Sequence, residues 1–252
     1  YESEEKKTKY LINWSEKQGV VFNDIKSNIR IRKAKLKEEN LYGIICDVAT
    51  EFDYSYADSK DIHNTFRLGT NHYLNLRKVN DKYIITKEWY TDPFADSLNI
   101  GNINSDEIKN YILSHPKPEF TPSETLTKAL DYAHKFSGVS PDEEFIFKYN
   151  STYKDHNPDG GDCANFASQI LFESGGFKKN NLWNYSNKEG TKAWLNAQGF
   201  KNYMVGSGRA SYISKGSYSQ IYKDAFNLRP GDFVAYEKKG KITHVSTVTG
   251  LD

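Results

Sequence analysis

Apolar positions in the second half of the chain follow a helical spacing between residues 162 and 176. They recur at i, i+3, i+4, i+7 and i+8, which predicts one apolar stripe on a helix. The stripe consists of Cys163, Phe166, Ala167, Ile170 and Leu171. Asp162 stands where an N-cap residue is expected, and a Gly-Gly pair at 175–176 predicts the helix end. We therefore expect Cys163 in the first helical turn, where free N–H groups and the helix dipole favour a thiolate.

The first half of the chain alternates apolar and polar residues with the period of two that is typical of strands. Four runs share this pattern: residues 26–36, 44–54, 65–79 and 82–90. Asn80 and Asp81 predict a short turn between the last two runs, and an amphipathic helix is expected over residues 7–18. A helix followed by an antiparallel meander predicts a small α+β domain with a cystatin-like or NTF2-like outline.

The chain of 252 residues is long enough for two domains, and prolines mark the boundary. Three prolines fall within residues 116–122, which predicts an extended linker. We expect an accessory domain over 1–115 and a second domain over 123–252. A helix is predicted to start there, with Thr121 as its N-cap, Pro122 at the first helical position and Glu124 completing a capping box.

The sequence pattern in the remainder of the second domain predicts two more helices and a hairpin. A helix over 191–198 is expected to stop at Gly199, an irregular loop covers 204–217, and another helix follows over 219–226. Residues 233–249 predict a β-hairpin whose second strand carries His244. Strict alternation would put His244 on the same face as Ile242, Ser246 and Val248.

Composition narrows the classes of protein to which this chain can belong. The formal net charge of +1 gives no reason to expect a nucleic-acid or acidic-membrane partner. No apolar run approaches the roughly 20 residues of a membrane span, and the first residues contain no hydrophobic signal region. The two cysteines, Cys46 and Cys163, form no disulfide framework, and Cys46 lies in a strand-like run that predicts a core position.

Cys163 and His244 form the candidate catalytic pair. Cysteine nucleophiles need a base within hydrogen-bond reach, and an imidazole held on a strand suits that role better than His134 or His156, which lie on a helix and in a loop. Two alternatives remain from these residues alone. Cys163 could be a small core residue, and His244 could be a structural strand histidine.

Metal and cofactor sites are not expected. Residues 155–160 match the first half of an EF-hand calcium loop, but Phe166 stands where that loop needs its bidentate glutamate. His63 and His72 have no nearby cysteine or carboxylate cluster at metal-ligand spacing, and we interpret both as structural histidines.

The residues around Cys163 resemble a known family. The run YNSTYKDHNPDGGDCANFASQILFESGG, followed by LRPGDFVAY and ITHVSTVTG, is similar to the putative amidase domain family of Gram-positive bacteria. That family is similar in layout to the NlpC/P60 and CHAP cysteine hydrolases of the papain-like superfamily. The resemblance implies a nucleophile helix packed on an antiparallel sheet.

The resemblance also implies residue roles and a substrate. Cys163 would be the nucleophile and His244 the general base. Asp162 and Asn165 would shape the site, and Tyr149 falls where related hydrolases often keep a tyrosine. The implied substrate is an amide of cell-wall peptidoglycan, cleaved by a secreted or wall-associated enzyme that needs no metal or organic cofactor.

One part of the related pattern is missing from this chain. NlpC/P60-like enzymes place the residue that orients the histidine on a later strand, about a dozen residues on, whereas only eight residues follow His244. We therefore expect that the second domain lacks its last strand or strands, and we give Asp252 no role.

Two other functions could use the site around Cys163 and His244. A catalytically idle module could bind wall peptide there, and an acyltransferase of the transpeptidase or transglutaminase type could pass the acyl group to an amine. The accessory domain is expected to position the enzyme by binding a wall or protein partner.

Overall fold

The structure is a computed structural model that describes residues 2–90, 105–116, 118–157 and 161–251. The chain divides into two units. The first comprises Tyr1–Lys109 and Glu143–Phe147, and the second comprises Asn110–Asp142 and Lys148–Asp252. A short helix, α2, covers Ser105–Leu113. Both units combine helices with antiparallel strands, so the predicted α+β class is confirmed.

The first unit contains the predicted helix and antiparallel meander. Its elements are α1 Glu2–Gln18, β1 Val20–Glu38, β2 Leu41–Tyr56, β3 Ser59–Val79 and β4 Lys82–Tyr90. The strands form one sheet in the order β1-β2-β3-β4, and every neighbouring pair is antiparallel. Asn80 adopts a positive φ in the turn between β3 and β4, where the sequence predicts that turn.

An aromatic cluster holds α1 against this sheet. Trp14 of α1 lies within 6 Å, ring centre to ring centre, of Phe22, Tyr54 and Phe66. Phe52 is fully buried beneath them and stacks on Phe66 at 4.6 Å. Aromatic pairs of this kind add about 0.5–1.5 kcal/mol each beyond the burial of their area, so this cluster stabilises the packing of α1 on the sheet.

The second unit surrounds one central helix. Its elements are α3 Glu124–Phe136, α4 Cys163–Glu173, β5 Tyr185–Ser186, β6 Glu189–Gly190, α5 Lys192–Leu195, α6 Ala197–Gly206, α7 Tyr218–Ala225, β7 Phe233–Lys238 and β8 Lys241–Thr247. Strands β7 and β8 form the predicted hairpin. Lys239 and Gly240 in its turn both have positive φ, which matches the right-handed twist of the two strands.

The core of this unit lies between α4, α6 and β8. Its largest buried side chains are Trp183, Trp194, Phe200 and Met204. Ala164 and Ala167 bring α4 close to these rings, while Ile242 and Val245 contribute from β8. Truncating one buried tryptophan to alanine in such a core costs about 3–5 kcal/mol, so this cluster fixes where the ends of α4 and β8 meet.

The start of α3 differs from the sequence prediction. Ser123, not Thr121, is the N-cap: its backbone is extended and its Oγ accepts the N–H of Leu126 at 3.2 Å. Pro122 therefore precedes the cap and does not occupy the first helical position. Thr121 and Ser123 are both good cap residues, and sequence spacing alone chose the wrong one.

The prediction of one helix ending at Gly199 is also wrong. Asn196 is extended and separates α5 from α6, and its Oδ1 accepts the N–H of Gly199 in the first turn of α6. A Cβ at position 199 would lie 2.4 Å from the carbonyl oxygen of Lys192. Glycine is required here because the two helices approach closely, and not because a helix stops. Helix α6 continues to Gly206, so Met204 is a core residue and not the start of a loop.

Candidate active site

Asp162 precedes α4 but does not cap it through its side chain. Its Oδ1 accepts the backbone N–H of His156 at 3.1 Å and the Nδ2 of Asn165 at 2.9 Å. Burial raises the pKa of the Asp162 carboxyl, and these two hydrogen bonds only partly oppose that rise. The side chain therefore ties the preceding loop to the first turn of α4, which differs from the predicted cap.

Three polar residues of α4 are buried and anchor the helix. Asn165 Oδ1 accepts the indole N–H of Trp194 at 2.9 Å. Ser168 Oγ accepts the indole N–H of Trp183 at 3.0 Å and donates to the carbonyl of Trp194 at 3.1 Å. Gln169 Oε1 accepts the hydroxyl of Tyr132 at 3.0 Å. These bonds fix the rotation of α4 about its axis, and with it the direction in which its first residue points.

The apolar stripe predicted for α4 is only part of its buried surface. The buried residues of the helix are Ala164, Asn165, Ala167, Ser168, Gln169 and Ile170. Helix α4 is thus a central helix that is covered on more than one side. Sequence reasoning missed Ser168 and Gln169, although polar residues at i, i+3 and i+4 within an otherwise apolar helix were a visible signal.

His244 owes its placement to an irregularity in β8. Tyr236 pairs with His244 and Glu237 pairs with Ile242, so Thr243 is an extra residue, a β-bulge. Ile242 and Val245 are both buried, whereas Thr243 and His244 are exposed. The predicted shared face of Ile242 and His244 is therefore wrong, because the bulge reverses the alternation between them.

Cys163 and His244 meet where the first turn of α4 approaches β8. The thiol of Cys163, which is partly buried, lies close enough to the imidazole of His244 for each group to shift the pKa of the other. The backbone N–H groups of Val245 and Ala164 also lower the pKa of the thiol. The fold therefore brings together two residues that are 81 positions apart in sequence.

This contact shifts the pKa of both groups toward an ion pair. Burial alone would raise the pKa of the Cys163 thiol, but the His244 hydrogen bond, the two backbone N–H donors and the histidine charge lower it below its ordinary value. The hydrogen bond to Cys163 raises the pKa of His244, against the effect of burial. A thiolate beside an imidazolium is the reactive form of a cysteine nucleophile.

Tyr236 lies beside the histidine on the neighbouring strand. Its ring centre is 5.5 Å from that of His244, and its hydroxyl is 3.2 Å from Ser246 Oγ. Tyr236 is thus an aromatic neighbour of the imidazole on the adjacent strand.

The other predicted residues of the second unit lie elsewhere. Tyr149 is 41% exposed and packs on Gly138, where a Cβ would come within 2.7 Å of its hydroxyl oxygen. His134 is exposed in the last turn of α3, and His156 meets Asp162 through its backbone. The role expected for Tyr149 from the family resemblance stays a prediction.

The structural histidines of the first unit have closer neighbours than the sequence predicts. His63 Nδ1 is 2.8 Å from Asp53 Oδ1. His72 is paired across the sheet with Cys46, and its Nδ1 is 2.7 Å from Glu88 Oε1. The sequence analysis expected no cysteine or carboxylate cluster at metal-ligand spacing near these histidines. The neighbours are individual side chains, which the pairing of β2, β3 and β4 brings together from distant parts of the sequence.

No group of three or more His, Cys, Asp or Glu side chains suited to a metal ion occurs among the described residues. Residues 158–160 of the calcium-like segment lie outside them. In the segment before these, Asp155 Oδ1 accepts both the backbone N–H and the side-chain amide of Asn157. None of the described helices is both long and apolar enough to cross a membrane.

Comparison with solved structures gives a weak match. The crystal structure of the intermembrane space region of chloroplast protein ARC6 aligns with 9% identity and a TM-score of 0.23. The alignment covers 31% of this chain and 61% of that chain, so it spans less than two thirds of that protein and carries no inference. No curated protein matches the chain.

Comparison with family models gives a match over the second unit. The model described as a putative amidase domain matches residues 123–252, which include α3, α4 and the β7-β8 hairpin. The match covers Cys163 and His244 and spans just over half of the chain. The chain therefore belongs to the putative amidase domain family.

Proposed function

We propose that this protein is a cysteine-dependent amide hydrolase whose nucleophile is Cys163 and whose general base and acid is His244. Membership of the amidase family indicates amide hydrolysis. The observation that carries the cysteine mechanism is the position of His244 on β8 beside Cys163 at the start of α4, with the pKa of the thiol lowered and that of the imidazole raised.

The reaction follows from this pair in two steps. The Cys163 thiolate attacks the amide carbonyl carbon, the C–N bond breaks, and the His244 imidazolium gives its proton to the leaving amine. The acyl group is then held as a thioester. Neutral His244 next removes a proton from water, which attacks the thioester and releases a carboxylic acid and the Cys163 thiolate.

The negative charge that develops on the carbonyl oxygen needs donors near the sulfur. The backbone N–H of Cys163 is one of the first four of α4, which have no partner within the helix. It points out of the helix N-terminus together with the positive end of the helix dipole. We assign it the role of oxyanion donor.

We further propose that the amide lies in cell-wall peptidoglycan and that the protein works outside the cell, in the wall of a Gram-positive bacterium. The support is the sequence resemblance of the Cys163 and His244 segments to the putative amidase domain family of Gram-positive bacteria, which is similar in layout to the NlpC/P60 and CHAP hydrolases of the papain-like superfamily. In this proposal residues 123–252 are the hydrolase domain, 116–122 are a linker, and residues 1–115 are a cystatin-like or NTF2-like accessory domain.

Product analysis of purified peptidoglycan tests this function. Incubation with the full chain should release fragments with a new amine and a new carboxylate, which mass spectrometry assigns to a muramoyl–alanine, stem-peptide or crossbridge bond. Cys163→Ala should release none, and Cys46→Ala should match the unaltered chain. Binding of fragments without cleavage would instead indicate the idle binding module. A product joined to an added amine would indicate an acyltransferase.

A further inference from the structure

A cavity of about 480 Å³ lies on one face of the four-stranded sheet of the first unit. Four lysines and two aromatic rings stand around it: Lys33, Lys35, Lys37, Lys87, Tyr73 and Trp89. We call these six residues the lysine groove. They come from β1, β3 and β4, and Gly43, Ile44 and Ile45 of β2 form the floor between them.

The charge of the lysine groove is uncompensated. Among the described residues that line the cavity there is no aspartate or glutamate. Lys33, Lys35 and Lys87 make no ion pair within the described part of the chain, and Lys37 Nζ donates to the amide oxygen of Asn75 at 2.8 Å. Four exposed ammonium groups around one concavity give it a positive potential that attracts anions.

Some other cations on the same sheet are paired. Lys26 lies 3.1 Å from Asp24, Arg30 lies 2.6 Å from Asp47, and Arg67 pairs with Glu51. Lys60, Lys78 and Lys82 have no ion pair among the described residues either, but they do not line the cavity. The groove is distinguished by four lysines around one concavity that no carboxylate of the described residues lines, an arrangement that attracts an anionic group from outside the chain.

The aromatic rings and the floor give the groove a defined shape in addition to the charge of its lysines. Tyr73 and Trp89 are 48% and 60% exposed, and their ring centres are 5.6 Å apart at an interplanar angle of 53°. Gly43 in the floor leaves space for the Lys37 side chain, whose Cε would lie 2.5 Å from a Cβ at that position. Large exposed rings beside a concavity are typical of binding sites.

We propose that the lysine groove binds an anionic saccharide chain. The apolar faces of its sugar rings lie against Tyr73 and Trp89, and its acidic groups are bound by Lys33, Lys35, Lys37 and Lys87. An acidic peptide would pair with the lysines but would make no specific contact with the two aromatic rings. Single-stranded nucleic acid stacks its bases along a run of rings and favours strongly basic proteins, whereas this chain has a net charge of +1.

Calorimetry on the full chain with oligomannuronate, a carboxylated sugar chain, tests this site. We expect saturable binding that weakens as salt rises. Neutral mannan oligosaccharide and polyglutamate, which lack the charge and the sugar ring respectively, should each bind about tenfold more weakly or not at all. Equal binding of polyglutamate would overturn the proposal, as would tighter binding of oligothymidylate or of anionic phospholipid vesicles.

Matched variants separate the groove from general charge. Lys35→Glu and Trp89→Ala should each weaken oligomannuronate binding about tenfold. Gly43→Leu, which fills the floor without changing any charge, should do the same. Lys60→Glu and Tyr83→Ala alter an exposed lysine and an exposed ring outside the groove and should bind as the unaltered chain does. Equal losses in groove and control variants, or no binding by the unaltered chain, would refute the site.

Discussion

Each of the two cysteines of this chain lies beside a histidine, yet the two thiols are shifted in opposite directions. Cys46 is 3% exposed and pairs across the sheet with His72. Burial raises the pKa of the Cys46 thiol, and the negative charges of Asp47 and Glu88 raise it further. Burial acts in the same direction on Cys163, but the pKa of its thiol is nevertheless lowered because His244 and two backbone N–H groups stabilise the thiolate.

The difference lies in what else each histidine binds. The ring nitrogens of His72 are 2.7 Å from Glu88 and 2.7 Å from Thr70, and its ring stacks on Tyr90 at 4.1 Å. No ring nitrogen of His72 is left for the thiol. Proximity of a cysteine and a histidine is therefore not sufficient to activate the thiol. The histidine must also have a ring nitrogen that is not hydrogen-bonded to another group.

Removal of the two thiols should give the largest contrast. Cys163→Ala should lower the rate of amide hydrolysis by about 10⁴-fold or more, as loss of a nucleophile does in other hydrolases. Cys46→Ala should leave the rate within about twofold and lower only the stability, by roughly 1 kcal/mol. Initial rates on a peptidoglycan fragment and urea unfolding measure the two effects. Comparable losses of rate would contradict the assignment of Cys163.

Substitution of the two histidines should give the next largest effect. His244→Gln should lower the hydrolysis rate about 10²–10⁴-fold because the general base and acid is lost. His72→Gln should keep the rate but destabilise the first unit by about 1–3 kcal/mol, since Glu88 loses a buried partner. Rates and unfolding curves on both variants distinguish the outcomes, and an unchanged rate in His244→Gln would exclude its proposed role.

Alkylation by iodoacetamide should separate the thiols by about 10²-fold at neutral pH. Because its pKa is lowered, Cys163 is a thiolate at pH values at which Cys46 is still protonated. The alkylation rate of Cys163 should therefore begin to increase at a lower pH than that of Cys46. Mass spectrometry of labelled peptides follows both residues. In His244→Gln the Cys163 profile should move to higher pH, and in urea the two cysteines should react alike. Equal alkylation rates of Cys163 and Cys46 in the folded chain would contradict the opposite pKa shifts of the two thiols.

Loosening of α4 should have the smallest effect on the thiol. Asn165→Ala leaves the indole N–H of Trp194 and the carboxylate of Asp162 without this partner, which should cost about 1–3 kcal/mol of stability. Asn202→Ala, which alters an exposed amide on α6, is the matched control. Thermal unfolding measures the loss, and alkylation of Cys163 should change only a few-fold. A loss of thiol reactivity as large as that of His244→Gln would show that Asn165 has a chemical role.

Local patterns predicted the parts of the fold that depend on neighbours in sequence. The meander of the first unit, the β7-β8 hairpin and the helix that begins at Cys163 are all confirmed. Each rests on periodicity and turn residues, which act over a few positions. The pairing of Cys163 with His244 was also expected, although it rested on the chemistry that cysteine requires.

The features that sequence did not predict depend on distant packing. Gly199 looked like a helix stop because nothing in the sequence shows that α6 approaches the carbonyl of Lys192. The bulge at Thr243 depends on register with β7, and the contact between Cys46 and His72 depends on register between β2 and β3. Asp162 failed as a side-chain cap because Asn165 and the His156 N–H compete for its oxygen.

The outer edge of β8 carries backbone N–H groups that act outside the β7-β8 pair. The N–H of Ile242 donates to the side chain of Gln198 at 2.9 Å, and the N–H of Val245 lowers the pKa of the Cys163 thiol. In the proposed mechanism, acylation of the sulfur removes the negative charge that the Val245 N–H stabilises. The time-averaged exchange rate of the Val245 amide proton should therefore differ between the protein with a free thiol and the protein with an acylated or alkylated thiol.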